Sequence, residues 1–546
     1  MKNGDLAAAG AAFQKAVRSN PRSADAQNML AQVLLRQGET ENAILHFREV
    51  VKLRPTLAIA HAYLAQALES EGKLDEAELE LRRAVELAPQ QPEAHRELAQ
   101  LLVAKQENVQ AIAEMRRAVQ LADESADLRD ELGSLLAQQL SFPEAMQNFR
   151  EAIKLDPQDE KAYLHLGVAL SASGDSNRAA IELDHAVQLD PQDASAWFYR
   201  ARTEEALGNR DEALRSYEEA AEINPNLPNV QTELGLLAQR TGDMDRAIDA
   251  FQKSIQHSPN DAEAHNNLAL ALLQRGDGDG AIKEFQRAIA LQPNDPAFQG
   301  NLGTAYLQKA DFDSAVKEFH AALQLAPDRA NLHYDLALAF KLKDDLPGAI
   351  EEWKQSLRLD PNLADAHYSL GVTLWQSGDF PGAVEQMQAA IRIQPKYAEA
   401  YYTLGTVYKQ MEKYPEAAAA LHEAIELQPD FAGAHTTLAA VLRQLGDRDG
   451  AAAEAKAGAQ LALAKTNLQA ATFATNSGRR LMSNGDLDGA ISQFRSAIDS
   501  MPTYAMAHLQ LGIALAQKGD KDGSAKEFKK AAELDPHLAP AKQASN

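Results

Sequence analysis

Residues 299–327 read QGNLGTAYLQKADFDSAVKEFHAALQLAP. Gln299, Leu302, Gly303 and Tyr306 recur at intervals that place them on one face of a helix, and Ala315, Phe319 and Ala322 share one face of a second. Pro327 follows, and proline ends helices because it lacks an N–H and clashes with the preceding turn. The same text returns every 34 residues in both directions. Pro21, Pro55, Pro89, Pro157, Pro191, Pro225, Pro259, Pro293, Pro327, Pro361, Pro395 and Pro429 stand on one ruler, with Asp123 in the single gap. With proline as position 32, position 20 is Ala from Ala43 to Ala417, and position 8 is always Gly or Ala. Small residues at 8, 20 and 27 let two helix axes approach closely while a large residue at 24 fills the space between.

The run of Gln299, Leu302, Gly303, Tyr306, Ala315, Phe319, Ala322 and Pro327, and its counterpart Tyr401, Leu404, Gly405, Tyr408, Ala417, Leu421, Ala424 and Pro429, resembles the tetratricopeptide pattern. The resemblance covers nearly the whole chain, as in a bacterial-type multi-repeat protein. It implies an all-α fold: a right-handed α-solenoid, or superhelix, of about fifteen full helix-turn-helix repeats plus an N-terminal half repeat. Turns written Gly242-Asp243-Met244-Asp245 and Gly446-Asp447-Arg448-Asp449 suit a left-handed glycine cap followed by a helix start at the second Asp. Asp159, Asp193, Asp261 and Asp295 read as caps of first helices.

Register marks the irregular places. Residues 1–23 hold only a second helix, so the natural chain is expected either to begin further upstream or to tolerate a frayed start, and the uncovered apolar side is a candidate for self-association. Residues 24–463 form a continuous array of about thirteen repeats, the last degenerate. The next markers, Pro502 and Pro536, are displaced by five residues. The stretch 451–482 has no proline and many alanines, which predicts one connecting helix of roughly 50 Å, or two nearly collinear ones. Two further repeats occupy 471–538, and 539–546 is a tail.

Composition closes several classes. The 546 residues carry 54 Lys+Arg against 78 Asp+Glu, a net charge of −24, which argues against nucleic acid as a partner. With no cysteine there is no disulfide, thiolate metal site or cysteine nucleophile. Mean hydropathy is −0.38 and no long apolar run occurs, so no membrane span is expected. Nor is there a signal peptide in the chain, and the reading is of a soluble protein, cytoplasmic or periplasmic.

No catalytic domain fits between the repeats, so the protein reads as not an enzyme, with no cofactor and no metal. Asp277-Gly278-Asp279-Gly280 looks like part of a calcium loop but lacks the spacing of a full site, and it falls where every repeat has its turn. His61, His95, His265, His333, His367, His435 and His508 all share position 4. Equivalent positions in successive repeats are too far apart for two imidazoles to meet on one zinc, so these are read as half-buried packing residues with a polar edge to water.

The resemblance places positions 2, 5, 6, 9, 12 and 13 on a concave wall. There the N-terminal repeats are acidic (Asp25, Glu93, Glu97, Asp127, Asp130, Glu131, Glu205 and Glu233). Later repeats put Tyr334, Tyr368 and Tyr402 at position 5 and Lys341, Trp375, Lys409 and Arg443 at position 12, a candidate peptide-binding strip able to hold a carboxylate. Asn267 and Asn301 stand consecutively at position 6, similar to the asparagine ladder of O-linked N-acetylglucosaminyltransferases, without their catalytic domain. The expected function is a non-catalytic scaffold binding extended peptides or partner helices of other proteins in its groove. Two alternatives stay open: the substrate-recognition array of an enzyme such as a glycosyltransferase whose catalytic domain lies elsewhere, and a purely architectural spacer.

Overall fold

Hairpins of two helices recur because each repeat carries two apolar stripes and a turn between them. In the computed structural model, which describes residues 6–538, thirty α-helices follow one another, a single 3₁₀ turn closes the series at Pro536–Leu538, and no strand occurs among the described residues. The expected tail at 539–546 lies outside them, as do residues 1–5 of the expected half repeat. The chain divides into two compact units, Met1–Leu291 and Gln292–Asn546.

In the first unit the helix Leu6–Ser19 packs on Ala24–Arg36, which opens the first complete hairpin; the last helix of the unit is Gly278–Leu291. In the second, hairpins stack from Pro296–Gln308 to Lys521–Leu534. Within each unit a second helix contacts its hairpin partner and the first helix of the next hairpin, so each unit is an α-solenoid with a core spread along its length. Thirteen hairpins follow the solitary first helix before the register breaks, and two more follow the break.

Packing inside a hairpin explains the invariant small positions. A Cβ added to Gly303 would lie 2.7 Å from the ring of Phe319, and one on Gly235 would lie 2.6 Å from that of Phe251. Both rings are fully buried, each contributing roughly 1.5–3 kcal/mol. The turn between helices passes through the left-handed region, by glycine where available (Gly242, φ +86°) and otherwise by Gln106, Leu140, Ala310, Asp344 or Glu412. The cap differs from expectation: in the Gly-Asp-x-Asp turns the first Asp does the capping. Asp243 accepts the Arg246 N–H at 3.1 Å and Asp447 the Gly450 N–H at 2.9 Å, because the glycine already completes the previous helix and the next residue must start the new one. Asp159, Asp193, Asp261 and Asp295 cap first helices through their side chains.

At the break in register, one helix of 36 residues runs Arg448–Ser483. Its start packs on Ala432–Leu445 through Ala451 and Gly458, and its end packs on Leu487–Ser500 through Ala471, Ala474 and Gly478. Between residues 459 and 470 only Leu461 and Asn467 are even partly covered.

Candidate functional site

The candidate strip is built on three successive first helices, Ala330–Leu342, Ala364–Gln376 and Ala398–Gln410. Tyr334, Tyr368 and Tyr402 occupy the same place on each and are half-buried. Each is tied to a neighbouring repeat or helix. The Tyr334 hydroxyl pairs with Ser369 Oγ at 3.3 Å, and its ring lies 6.4 Å from that of the buried Trp353. The Tyr368 ring meets Tyr397 at 5.1 Å, and that of Tyr402 meets Phe431 at 4.7 Å. Tyr397 in turn donates its hydroxyl to Asp365 Oδ1 at 2.9 Å. Tyr397 and Phe431 sit one residue before their helices, a position whose role in bracing the strip has no signature in the helical periodicity.

The position-12 residues do not converge. Lys341 Nζ lies 5.7 Å from the centre of the Trp353 ring, and burial holds its amine below the usual lysine range. The indole N–H of Trp375 donates to Gln410 Oε1. Lys409 is half-buried, whereas Arg443 is exposed and turns Nε back to the Ala439 carbonyl at 3.1 Å. Tyr334, Trp353 and Lys341 are therefore brought together, with the cation set against a ring. Asn267 belongs to the first unit and Asn301 to the second, each half-buried. Asp335, next to Tyr334 on the same helix, has no mark in the repeat pattern: burial pushes its carboxyl up to about 6.

The acidic wall of the first unit is partly neutralised from within. Glu131 is clasped by Arg96, Asp130 by His165 Nδ1 at 2.8 Å, Asp25 by Arg54 at 2.9 Å and Glu205 by Arg240. Glu97 has its carboxyl raised by burial and then by repulsion from Glu69 and Glu93.

Away from the candidate strip, the position-4 histidines have a role their spacing did not reveal. His61, His95, His265, His333, His435 and His508 each set Nδ1 2.5–2.7 Å from a glutamate nineteen residues on, and Nε2 3.0–3.3 Å from the carbonyl of the proline six residues before. His367 does the same with Gln386 and Pro361. The expected polar edge to water is thus absent, because both nitrogens are used internally. Gln27 donates to the Pro21 carbonyl, Trp197 to that of Pro191 and Arg129 to that of Asp123, so four side-chain types satisfy one inter-repeat carbonyl. Asp277 Oδ1 likewise accepts the Gly280 N–H at 2.9 Å as an ordinary turn cap. No group of three or more His, Asp or Glu suited to a metal occurs among the described residues, and no described helix is long and apolar enough to cross a membrane.

Comparison with solved structures gives MamA, at 28% identity over 30% of this chain and 96% of that one, with a TM-score of 0.30. It also gives YrrB, titled a TPR protein with an unusual peptide-binding site, at 26% identity over 34% and 97% with a TM-score of 0.31. The Cut9–Hcn1 hetero-tetramer of APC/C aligns at 15% identity over 90% and 96% with a TM-score of 0.33. No curated protein sequence matches. Sequence models described as tetratricopeptide repeat or TPR repeat match residues 1–58, 34–101, 133–174, 160–193, 194–227, 232–296, 297–329, 340–378, 374–412, 398–431 and 475–539. With hairpins, register and small-residue packing all in agreement over most of its length, the chain belongs to the tetratricopeptide repeat family.

Proposed function

We propose that this protein is a non-catalytic scaffold that holds extended peptides or partner helices along the concave faces of its repeats, with the strip at Tyr334, Tyr368 and Tyr402 as its anchor. The observation that carries this reading is the recurrence of one half-exposed tyrosine in three consecutive repeats, each steadied by Ser369, Tyr397 or Phe431. An aromatic already held in place loses little entropy on binding, and large rigid rings supply much contact area. Asp335 adds a preference, since a carboxyl raised by burial gains most from a donor brought by a ligand. Several repeats acting together give avidity without any single strong contact. The test is a pull-down from the source cell with the wild-type chain and with Tyr334→Ala, Tyr368→Ala and Tyr402→Ala combined. Loss of specific prey from the variant supports the strip, and identical prey from the two baits discards it.

A further inference from the structure

The long helix Arg448–Ser483 carries a second surface, separate from the concave strip. Elsewhere in the second unit the third residue of a first helix is covered by the preceding hairpin: Leu332 is 5% exposed, and Ala366, Ala400 and Ala434 are fully buried. Phe473 holds that place in its repeat and is 77% exposed, because the chain before it continues as helix instead of folding back as a hairpin. Position 24 shows the complementary anomaly. Phe319, Trp353, Met387 and Leu421 are fully buried there, whereas Ala455 is small and exposed.

These two uncovered places lie on one line. At 3.6 residues per turn, Ala455, Ala459, Leu463, Thr466, Ala470 and Phe473 recur at intervals of three and four, the spacing of a helix–helix seam, and all are exposed. Leu463 is 61% exposed. The seam spans roughly 27 Å at 1.5 Å per residue. Its charge is opposite to that of the molecule. Between Ala452 and Arg480 the exposed Lys456, Lys465, Arg479 and Arg480 form no ion pair among the described residues, and the one acidic residue, Glu454, is occupied by His435. In a chain of net charge −24, an apolar seam flanked only by unpaired cations selects a partner of negative charge and disfavours a second copy or another cationic surface.

We propose that this face docks an amphipathic helix of a partner protein, apolar along one stripe and acidic on its flanks, with Phe473 as the central anchor. Binding occurs where the solenoid is interrupted, so the partner helix supplies the neighbour that the missing hairpin would have provided.

The experiment uses the full chain and two labelled helical peptides of about twenty residues, long enough to be helical once docked. Both carry leucine along one seam; glutamate fills the remaining positions of the first and lysine those of the second. Fluorescence anisotropy should show binding of the acidic peptide, weakened by salt, and none of the lysine peptide. Leu463→Ser with Phe473→Ser should weaken it about tenfold or more, the size of a lost anchor. So should Lys456→Glu with Lys465→Glu and Arg480→Glu, a second variant that leaves the seam intact. Circular dichroism matching wild type shows that both variants fold. Equal binding of the two peptides, or none of either, overturns the proposal. So does a dimer in sedimentation that Phe473→Ser dissociates, which would make a second copy the occupant, and so does capture by anionic phospholipid vesicles that the same variants abolish.

Discussion

Leu140 occupies the turn position that ten repeats give to glycine, with φ +58° and 74% of its surface exposed. A side chain in the left-handed region costs roughly 1–2 kcal/mol, part of which glycine returns as backbone entropy in the unfolded chain. Leu140→Gly should therefore raise the midpoint of thermal unfolding, by up to about 1 kcal/mol of stability; a lower midpoint would mean the leucine makes a contact that outweighs its strain. His265 is the converse case, a residue whose value lies in its two hydrogen bonds. His265→Ala leaves the Pro259 carbonyl and Glu284 without it and should cost about 1–3 kcal/mol. His265→Gln should cost less, because Gln27 already makes the same bond to Pro21, and urea midpoints of the two variants rank them. Asp335 gives the pH signature. Its folded carboxyl titrates near 6 against an ordinary 3.8, so the folded state holds the proton more tightly than the unfolded one. Stability therefore falls as pH rises from about 4 to about 6 and levels off above, by about 3 kcal/mol. Asp335→Asn should flatten that limb in unfolding curves taken across the window. The shared position and spacing of these histidines were plain in the sequence. Their bonds were not, because a hydrogen bond to a proline carbonyl depends on the turn path between repeats.

The helix Arg448–Ser483 combines two packed ends with an unsupported middle. Alanine favours helix, but an isolated stretch of a dozen residues is marginal in water, so the middle persists through its continuity with the packed ends. Amides from residue 462 to 470 should exchange with deuterium well before those of Ala432–Leu445 or Leu487–Ser500, as mass spectrometry of peptic fragments would read; equal protection would show that something covers the middle. The sequence marked this element clearly, through the loss of proline and the five-residue displacement of the ruler. What it left open was one helix or two. The answer depends on whether Gly458 and Gly478 bend the chain. Each instead lies against a neighbour, Thr436 and Phe494 respectively, where any Cβ would collide, so these glycines serve close packing.

A stack of hairpins has no single core, and its stability is approximately a sum over repeats and the interfaces between them. Where the stack is interrupted, the hairpins of the second unit on either side are joined through the single helix Arg448–Ser483, so the two repeats after the break should unfold apart from those before it in the same unit. The three tryptophans, Trp197, Trp353 and Trp375, all precede the interruption. Denaturant unfolding followed by tryptophan fluorescence should therefore miss a transition that far-ultraviolet circular dichroism records. Coincident curves from the two probes would show instead that cooperativity crosses the long helix.

Class of fold, repeat boundaries and hairpin register follow from residue identities alone. Proline, glycine and alanine at fixed intervals constrain the local backbone and the approach of one helix to its neighbour, and those are short-range effects. The wall residues belong to a different order of physics. Whether Lys341 reaches outward or lies on Trp353, whether Tyr368 is free or braced by Tyr397, and whether Phe473 is covered depend on side chains brought in from other repeats and on where the stacking stops. Contacts between repeats are set by packing in three dimensions, for which a one-dimensional period carries the spacing and not the partner.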